Sequence, residues 1–154
     1  MRAVLVAAVI LACPEAIRAE QTMMRASGTF EVKLAPAAND STPEGPNLGR
    51  MSIDKTFKGD LEGVSKGEMI TAAGITVKES AAYSAVERVT GTLHGRKGSF
   101  ALQHTGVMDR GKPSLLITVV PDSATGELAG LTGTMDIIID GGKHSYVFDY
   151  ALPK

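Results

Sequence analysis

One carboxylate lies where a carboxylate could do chemistry. In residues 83–93 the odd-numbered positions form an apolar set that only Glu87 interrupts. Because alternate residues of a β-strand share a face, Glu87 is predicted to point into the core. A carboxylate in a core must be paired, hydrogen-bonded or protonated, and desolvation is expected to raise its pKa toward the range of a general acid or base. Two roles stay open: an acid/base in a lumen, and one half of a structural ion pair.

His104 and Lys55 interrupt two further apolar faces in the same way. His104 shares a face with Phe100 and Leu102, and Lys55 falls within the alternating residues 51–57. If these faces converge, the carboxylate, the imidazole and the ammonium form one satisfied polar cluster in the interior. For the histidine, a functional role and a hydrogen-bonded place in the core both fit. The candidate catalytic residues are Glu87 and His104, and the candidate ligand-binding residues are Lys55, Tyr83, Glu87 and His104.

Other kinds of site find little support in the sequence. His94 and His144 lie beside turns and are predicted to be solvated. No two histidines share a strand at the i, i+2 spacing, so no metal site is predicted, and no cofactor. The Gly-x-Ser-x-Gly elbow of serine hydrolases is absent from the sequence. Residues 126–133 are glycine-rich but lack the helix and lysine of a phosphate loop, and they predict a bulged strand.

The elements that must position these side chains are short alternating runs, and the sequence shows no apolar periodicity typical of a helix. This pattern predicts an antiparallel all-β domain, either a sandwich or a barrel, and closure into a barrel removes unpaired edges. Residues 35–48 predict a surface loop. The predicted strands are residues 29–34, 49–58, 60–66, 68–77, 83–94, 99–108, 114–121, 126–139 and 143–152. The predicted turns are residues 95–98, 109–113, 122–126 and 140–142.

Aromatic residues are few, but three of them alternate along the last predicted strand. Tyr146, Phe148 and Tyr150 share one face there. Such a ladder can line a pocket, but it more often closes a core or a subunit interface, and packing is the favoured interpretation.

Length and charge limit the classes of function. The chain has 154 residues, of which 44% are hydrophobic, enough for one core and one domain. The formal net charge is −1, and four consecutive Lys or Arg residues occur nowhere. A nucleic-acid partner is therefore not expected.

The first residues predict a secretion signal. Arg2 precedes an apolar run over residues 3–12 that is too short to span a bilayer, and Ala19 offers a small residue for cleavage. We predict a signal peptide at residues 1–19, a single β-barrel domain at residues 20–154, no transmembrane span, and a periplasmic or secreted location. Two alternatives stay open: a lipid anchor on Cys13, the only cysteine, or a cytoplasmic protein translated from Met23 or Met24.

Four ordered segments carry a family resemblance: GRMSIDKTFKGDLEG, SAVERVTGTLHGRKGSFALQHTGVMDRG, VVPDSATGELAGLTGTM and DGGKHSYVFDY. From about Ala26 to its end, the chain resembles a bacterial family named only as domain of unknown function 3224. The family is similar in fold to the allene oxide cyclase barrel, which implies an eight-stranded antiparallel barrel here. That superfamily includes plant cyclases and dirigent proteins, which guide reactive intermediates in a cavity. A fold alone does not imply a function.

The leading hypothesis is an exported barrel that binds a small apolar molecule in its lumen. The alternatives are an isomerase or cyclase that uses a lumen carboxylate, and a purely structural oligomeric module. Whether the protein is an enzyme, and whether it forms a homo-oligomer, the sequence leaves open. A filled lumen favours the structural module, a dry apolar cavity favours binding, and a cavity that contains a desolvated Glu87 favours catalysis.

Overall fold

A computed structural model describes residues 22–37 and 47–153 of the chain. This part of the chain forms strands and turns, and it contains no helix that is long and apolar enough to cross a membrane. The strands are β1 (Met23–Pro36), β2 (Leu48–Gly59), β3 (Leu61–Ala73), β4 (Ala81–Leu93), β5 (Arg96–Asp109), β6 (Lys112–Val119), β7 (Thr125–Gly126), β8 (Thr132–Asp140) and β9 (Lys143–Ala151).

Eight of these strands close into an antiparallel barrel, as predicted. The hydrogen-bonded order is β4-β3-β2-β1-β9-β8-β6-β5, and β4 pairs with β5 to complete the circle. The two-residue β7 is an addition to the wall, where it pairs with Gly98 and Ser99 at the start of β5. Closure gives every long strand a neighbour on both sides, so the barrel has no edge strand of the kind that ends an open sheet.

The tight turns are shorter than predicted. The turn expected at residues 95–98 consists of His94 and Gly95 alone, so β5 begins at Arg96 and pairs at once with Leu93 of β4. Both turn residues have positive φ angles, 44° and 80°, the arrangement of a two-residue turn that matches the twist of the flanking strands. The same arrangement closes the turns at Arg110–Gly111 and Gly141–Gly142.

Four predicted strands differ clearly from those in the structure. β1 extends well beyond residues 29–34 because it pairs with β2 along one edge and with β9 along the other. The strands predicted at residues 60–66 and 68–77 are one strand, β3, which runs uninterrupted through Gly67. The bulged strand expected at residues 126–139 is broken instead, since residues 127–130 form turns and Leu131 belongs to no strand before β8 begins.

The predicted leader and Cys13 lie outside the described residues, as do residues 38–46 of the predicted loop. The signal peptide, the lipid anchor and the alternative start sites stay predictions.

Side chains fill one end of the barrel, which we call the closed end. It is formed by the start of β3, the end of β4 and most of β9. The rings of Tyr146, Phe148 and Tyr150 are all buried there, which confirms that this ladder packs in the core. Phe148 stacks on Phe100, with 5.7 Å between ring centroids. Leu128, in the broken segment before β8, is fully buried against the same cluster.

The barrel wall has little backbone pairing between β6 and β8. Thr118 and Thr134 are the one residue pair that bridges these two strands, whereas β4 and β5 are paired from Ala81 to Leu93. Residues 112–117 of β6 and 135–140 of β8 therefore face each other without a ladder of backbone hydrogen bonds between them. We call this part of the wall the β6–β8 seam.

Candidate functional site

A buried polar cluster lies at mid-height in the barrel, on four consecutive strands. β2 contributes Lys55, β3 contributes Ser65, β4 contributes Glu87 and β5 contributes His104. Their exposed fractions are 7%, 2%, 1% and 3%, which confirms that Lys55, Glu87 and His104 face the interior. Ser65 was not predicted from the sequence. It joins the cluster because it is the direct cross-strand partner of Lys55.

Glu87 is the centre of this cluster. Its Oε1 accepts hydrogen bonds from Nζ of Lys55 at 2.6 Å and from Nε2 of His104 at 2.8 Å. Its Oε2 accepts a hydrogen bond from Oγ of Ser65 at 2.5 Å. Both carboxylate oxygens are thus satisfied by donors from the three neighbouring strands, as a buried charge requires.

The surroundings of Glu87 keep it ionised. Burial alone raises its pKa, and this is the largest single effect. The hydrogen bond from His104, the charge and hydrogen bond of Lys55 and the hydrogen bond of Ser65 together outweigh it, and they lower the pKa from 4.5 to about 2. The expected rise toward the range of a general acid or base is therefore wrong, because the sequence could not show how many donors would converge on one carboxylate.

The ionised carboxylate also determines how its neighbours are arranged. A carboxylate only accepts hydrogen bonds, so the Nε2 atom of His104 is the donor and carries a proton. Nζ of Lys55 lies 5.2 Å from the ring centroid of Phe30 and 5.9 Å from that of Phe57, within reach of cation–π attraction. The ammonium is thus held between one carboxylate and two aromatic rings.

Above the cluster, the barrel contains a cavity of about 530 Å³. Most of its lining is apolar, including Phe30, Val32 and Ile53 near the cluster. Lys55 and His104 are part of the lining, but Glu87 and Ser65 lie behind them and do not line it. The cavity therefore has Lys55 and His104 at its inner end, while Glu87 stays in the wall.

Tyr83 lines the cavity on the side of β4, and its role as a ligand-binding residue stays a prediction. Its ring lies over Gly106, its cross-strand partner, so closely that a Cβ added at Gly106 would be 2.1 Å from Cε1 of the tyrosine. Burial and then the charge of Glu87 raise the pKa of Tyr83. The missing side chain at Gly106 thus makes room for the ring.

The two other histidines differ in environment. His94 is exposed, as predicted, and its Nδ1 is hydrogen-bonded to the Tyr150 hydroxyl at 2.7 Å. His144 is half-buried, lines the cavity and lies 5.2 Å from the ring of Phe30. The prediction of a solvated His144 is wrong, because β9 turns this side chain toward the lumen although it lies next to a tight turn.

The cavity reaches the β6–β8 seam. Leu115 of β6 and Ile137 and Ile139 of β8 belong to its lining, and Leu115 and Ile139 are also exposed to solvent. On this side, apolar side chains instead of paired backbone separate the cavity from the outside. Among the described residues, no group of three or more His, Cys, Asp or Glu side chains is placed to hold a metal ion.

Comparison with known proteins gives a family but no activity. Residues 26–150 match the family described as protein of unknown function (DUF3224). The chain is also similar to a crystal structure from Shewanella oneidensis MR-1, a protein with unknown function from the same family. The two are 48% identical with a TM-score of 0.79, over 86% of this chain and 100% of that one. None of the curated proteins matches the chain. With this match and a shared barrel, the chain belongs to the DUF3224 family.

Proposed function

We propose that the barrel binds one small, mostly apolar molecule in its lumen. The observation that carries this proposal is the cavity of about 530 Å³, which lies within the size range of small-ligand sites and combines apolar walls with two polar groups at one end. An eight-stranded barrel that served only as a structural module would be expected to fill its interior with side chains. Here the closed end is filled in that way, and the other half is not.

The alternative of an isomerase or cyclase with Glu87 as acid/base has weaker support. A carboxylate with a pKa of about 2 holds no proton to donate near neutral pH and is a poor base. Glu87 also lies behind Lys55 and His104, out of contact with the cavity. Its three hydrogen bonds support a structural and positioning role instead.

The location of the protein is part of the proposal. The apolar run at residues 3–12 and the small residue at Ala19 support export to the periplasm or the medium. A barrel outside the cytoplasm that holds an apolar molecule would act as a carrier or scavenger.

A neutral fluorescent probe, N-phenyl-1-naphthylamine, tests the binding function. The wild-type chain contains no tryptophan, and the probe is excited at a wavelength longer than tryptophan absorbs, so the tryptophans introduced in the variants do not contribute to the signal. We expect saturable binding of one probe molecule per chain. The variant Ile137→Trp fills the cavity from β8 and should weaken binding at least tenfold, since the added ring takes up space that the probe needs.

The neighbouring residue supplies a matched control. Ile138 is half exposed and lies on the opposite face of β8, so Ile138→Trp adds the same ring to the outside of the barrel and should leave probe affinity unchanged. Absence of saturable binding would overturn the proposal, as would equal affinities for the wild-type protein and Ile137→Trp.

A further inference from the structure

We infer that the bound molecule carries a neutral carbonyl oxygen, which accepts a hydrogen bond from the ammonium of Lys55 at the inner end of the cavity. The inference rests on the proposed binding function and specifies the class of ligand. It predicts ketones, aldehydes or esters with an apolar body in place of fatty acids or plain hydrocarbons.

The ammonium of Lys55 has N–H donors that could bind a ligand oxygen. An ammonium has three N–H donors, and one of them is directed to Oε1 of Glu87. No other described residue accepts a hydrogen bond from this nitrogen, which lies near the rings of Phe30 and Phe57 on a residue that lines the cavity. A ligand with an acceptor oxygen at this end would complete the hydrogen bonding of the ammonium.

The neutral ion pair of Lys55 and Glu87 disfavours a charged ligand. Lys55 and Glu87 form an ion pair at 2.6 Å that is almost fully buried, so the pair as a unit is neutral. A ligand carboxylate would bring a second negative charge close to Glu87 inside apolar walls, and the desolvation of that charge would go uncompensated. A carbonyl oxygen accepts a hydrogen bond from the ammonium without adding a charge.

The walls of the cavity favour a ligand with an apolar body. From the cluster to the rim, the lining is mostly aliphatic and aromatic, and at the β6–β8 seam it consists of Pro113, Ser114, Leu115, Ile137 and Ile139. The body of the ligand is therefore expected to be mostly apolar from the carbonyl outward.

Three matched compounds with a phenyl ring and a five-carbon chain test the inference: pentylbenzene, 5-phenylpentan-2-one and 5-phenylpentanoate. Each is titrated in competition with N-phenyl-1-naphthylamine against the wild-type protein and the double variant Lys55→Met/Glu87→Gln. The double variant removes both charges together, and replacement of a buried ion pair by neutral side chains is often tolerated. We expect the ketone to bind the wild-type protein at least tenfold more tightly than the carboxylate.

The double variant should lose about tenfold in affinity for the ketone and keep its affinity for pentylbenzene, since a hydrogen bond to a charged donor contributes about that much. Equal losses for both compounds, or no loss for the ketone, would overturn the inference. So would a carboxylate that binds the wild-type protein more tightly than the ketone. If neither the probe nor pentylbenzene binds the wild-type protein, the proposed function itself fails.

A spectroscopic measurement keeps the test decisive if the double variant does not fold. The infrared carbonyl stretch of 5-phenylpentan-2-one, ¹³C-labelled at the carbonyl and bound to the wild-type protein, should lie at lower wavenumber than in hexane, because hydrogen bonding to an ammonium weakens the C=O bond. A stretch at the hexane position, with the ketone bound, would overturn the inference.

Discussion

The ion pair at the centre of the barrel makes the variant Glu87→Gln a sensitive test of the structure. Glutamine has nearly the same shape as glutamate but no charge, so it leaves the ammonium of Lys55 buried without its counter-ion. Removal of one partner from a buried pair costs about 3 to 5 kcal/mol in proteins. The substituted amide can still accept one hydrogen bond, and we therefore expect a loss of about 2 to 4 kcal/mol in the free energy of unfolding at pH 7.

The lowered pKa of Glu87 corresponds to a stability contribution of the same order. Its pKa falls from 4.5 to about 2 on folding. Because each tenfold change in an ionisation constant is worth about 1.4 kcal/mol, ionised Glu87 contributes about 3 kcal/mol to stability. A pKa that is lower in the folded protein stabilises the fold fully above about pH 4.5, and this contribution is lost as the pH falls toward 2.

Urea denaturation of both proteins between pH 7 and pH 2 measures the effect. The difference between wild type and Glu87→Gln should be largest at neutral pH and should shrink as the wild-type carboxylate takes up its proton. At pH 7 it corresponds to a fall of about 6 to 12 °C in the midpoint of thermal unfolding for a domain of this size. The variant Glu31→Gln is the control, because Glu31 pairs with Lys58 on the outer surface and should change stability by less than about 0.5 kcal/mol.

Two results would refute this reasoning. One is a Glu87→Gln variant as stable as the wild-type protein at pH 7. The other is a difference between the two proteins that stays constant as the pH falls. The double variant Lys55→Met/Glu87→Gln should recover most of the lost stability, since it leaves no unpaired buried charge.

Three further predictions concern the seam, the tyrosine and the leader. In hydrogen exchange, peptides that cover residues 112–117 and 135–140 should exchange faster than those of β4, and their exchange should slow when the probe is bound. Equal protection of these peptides and β4 without the probe would contradict the lack of backbone pairing at the β6–β8 seam. Gly106→Ala should displace the ring of Tyr83, lower stability by about 1 to 3 kcal/mol and weaken probe binding, whereas unchanged binding would show that the ring does not shape the cavity. N-terminal sequencing of protein from its own host should give a first residue near Glu20. A first residue of Met24 in a cytosolic fraction would contradict export, and a lipid on Cys13 would support the lipid-anchored form instead.

Strand alternation was enough to predict the inward direction of the central cluster. A single slip in register would have turned each side chain outward, so the agreement for Lys55, Glu87 and His104 tests the register of three strands. Ser65 carried the same signal, since it lies between glycines on the inward face of β3. It was missed because a small hydroxyl between two glycines marks an inward face less clearly than a charged side chain in an apolar one.

The chemistry of the cluster could not be predicted, because it depends on contacts between strands that are distant in the chain. The pKa of Glu87 depends on donors from β2, β3 and β5, and only the closed barrel brings these donors to one carboxylate. The half-filled lumen and the β6–β8 seam have the same origin. Both depend on how far each strand extends along its neighbours, which the alternation of residue types does not encode.

Isoleucine methyl groups report most directly on whether the cavity holds a ligand. Ile53 and Ile137 line the cavity, whereas Ile70 and Ile138 lie on the outer face of the barrel. In a methyl NMR titration with N-phenyl-1-naphthylamine, we expect the signals of Ile53 and Ile137 to shift together along one saturable curve, while those of Ile70 and Ile138 stay in place. Shifts confined to Ile138, or no saturable shift of Ile53 and Ile137, would contradict it.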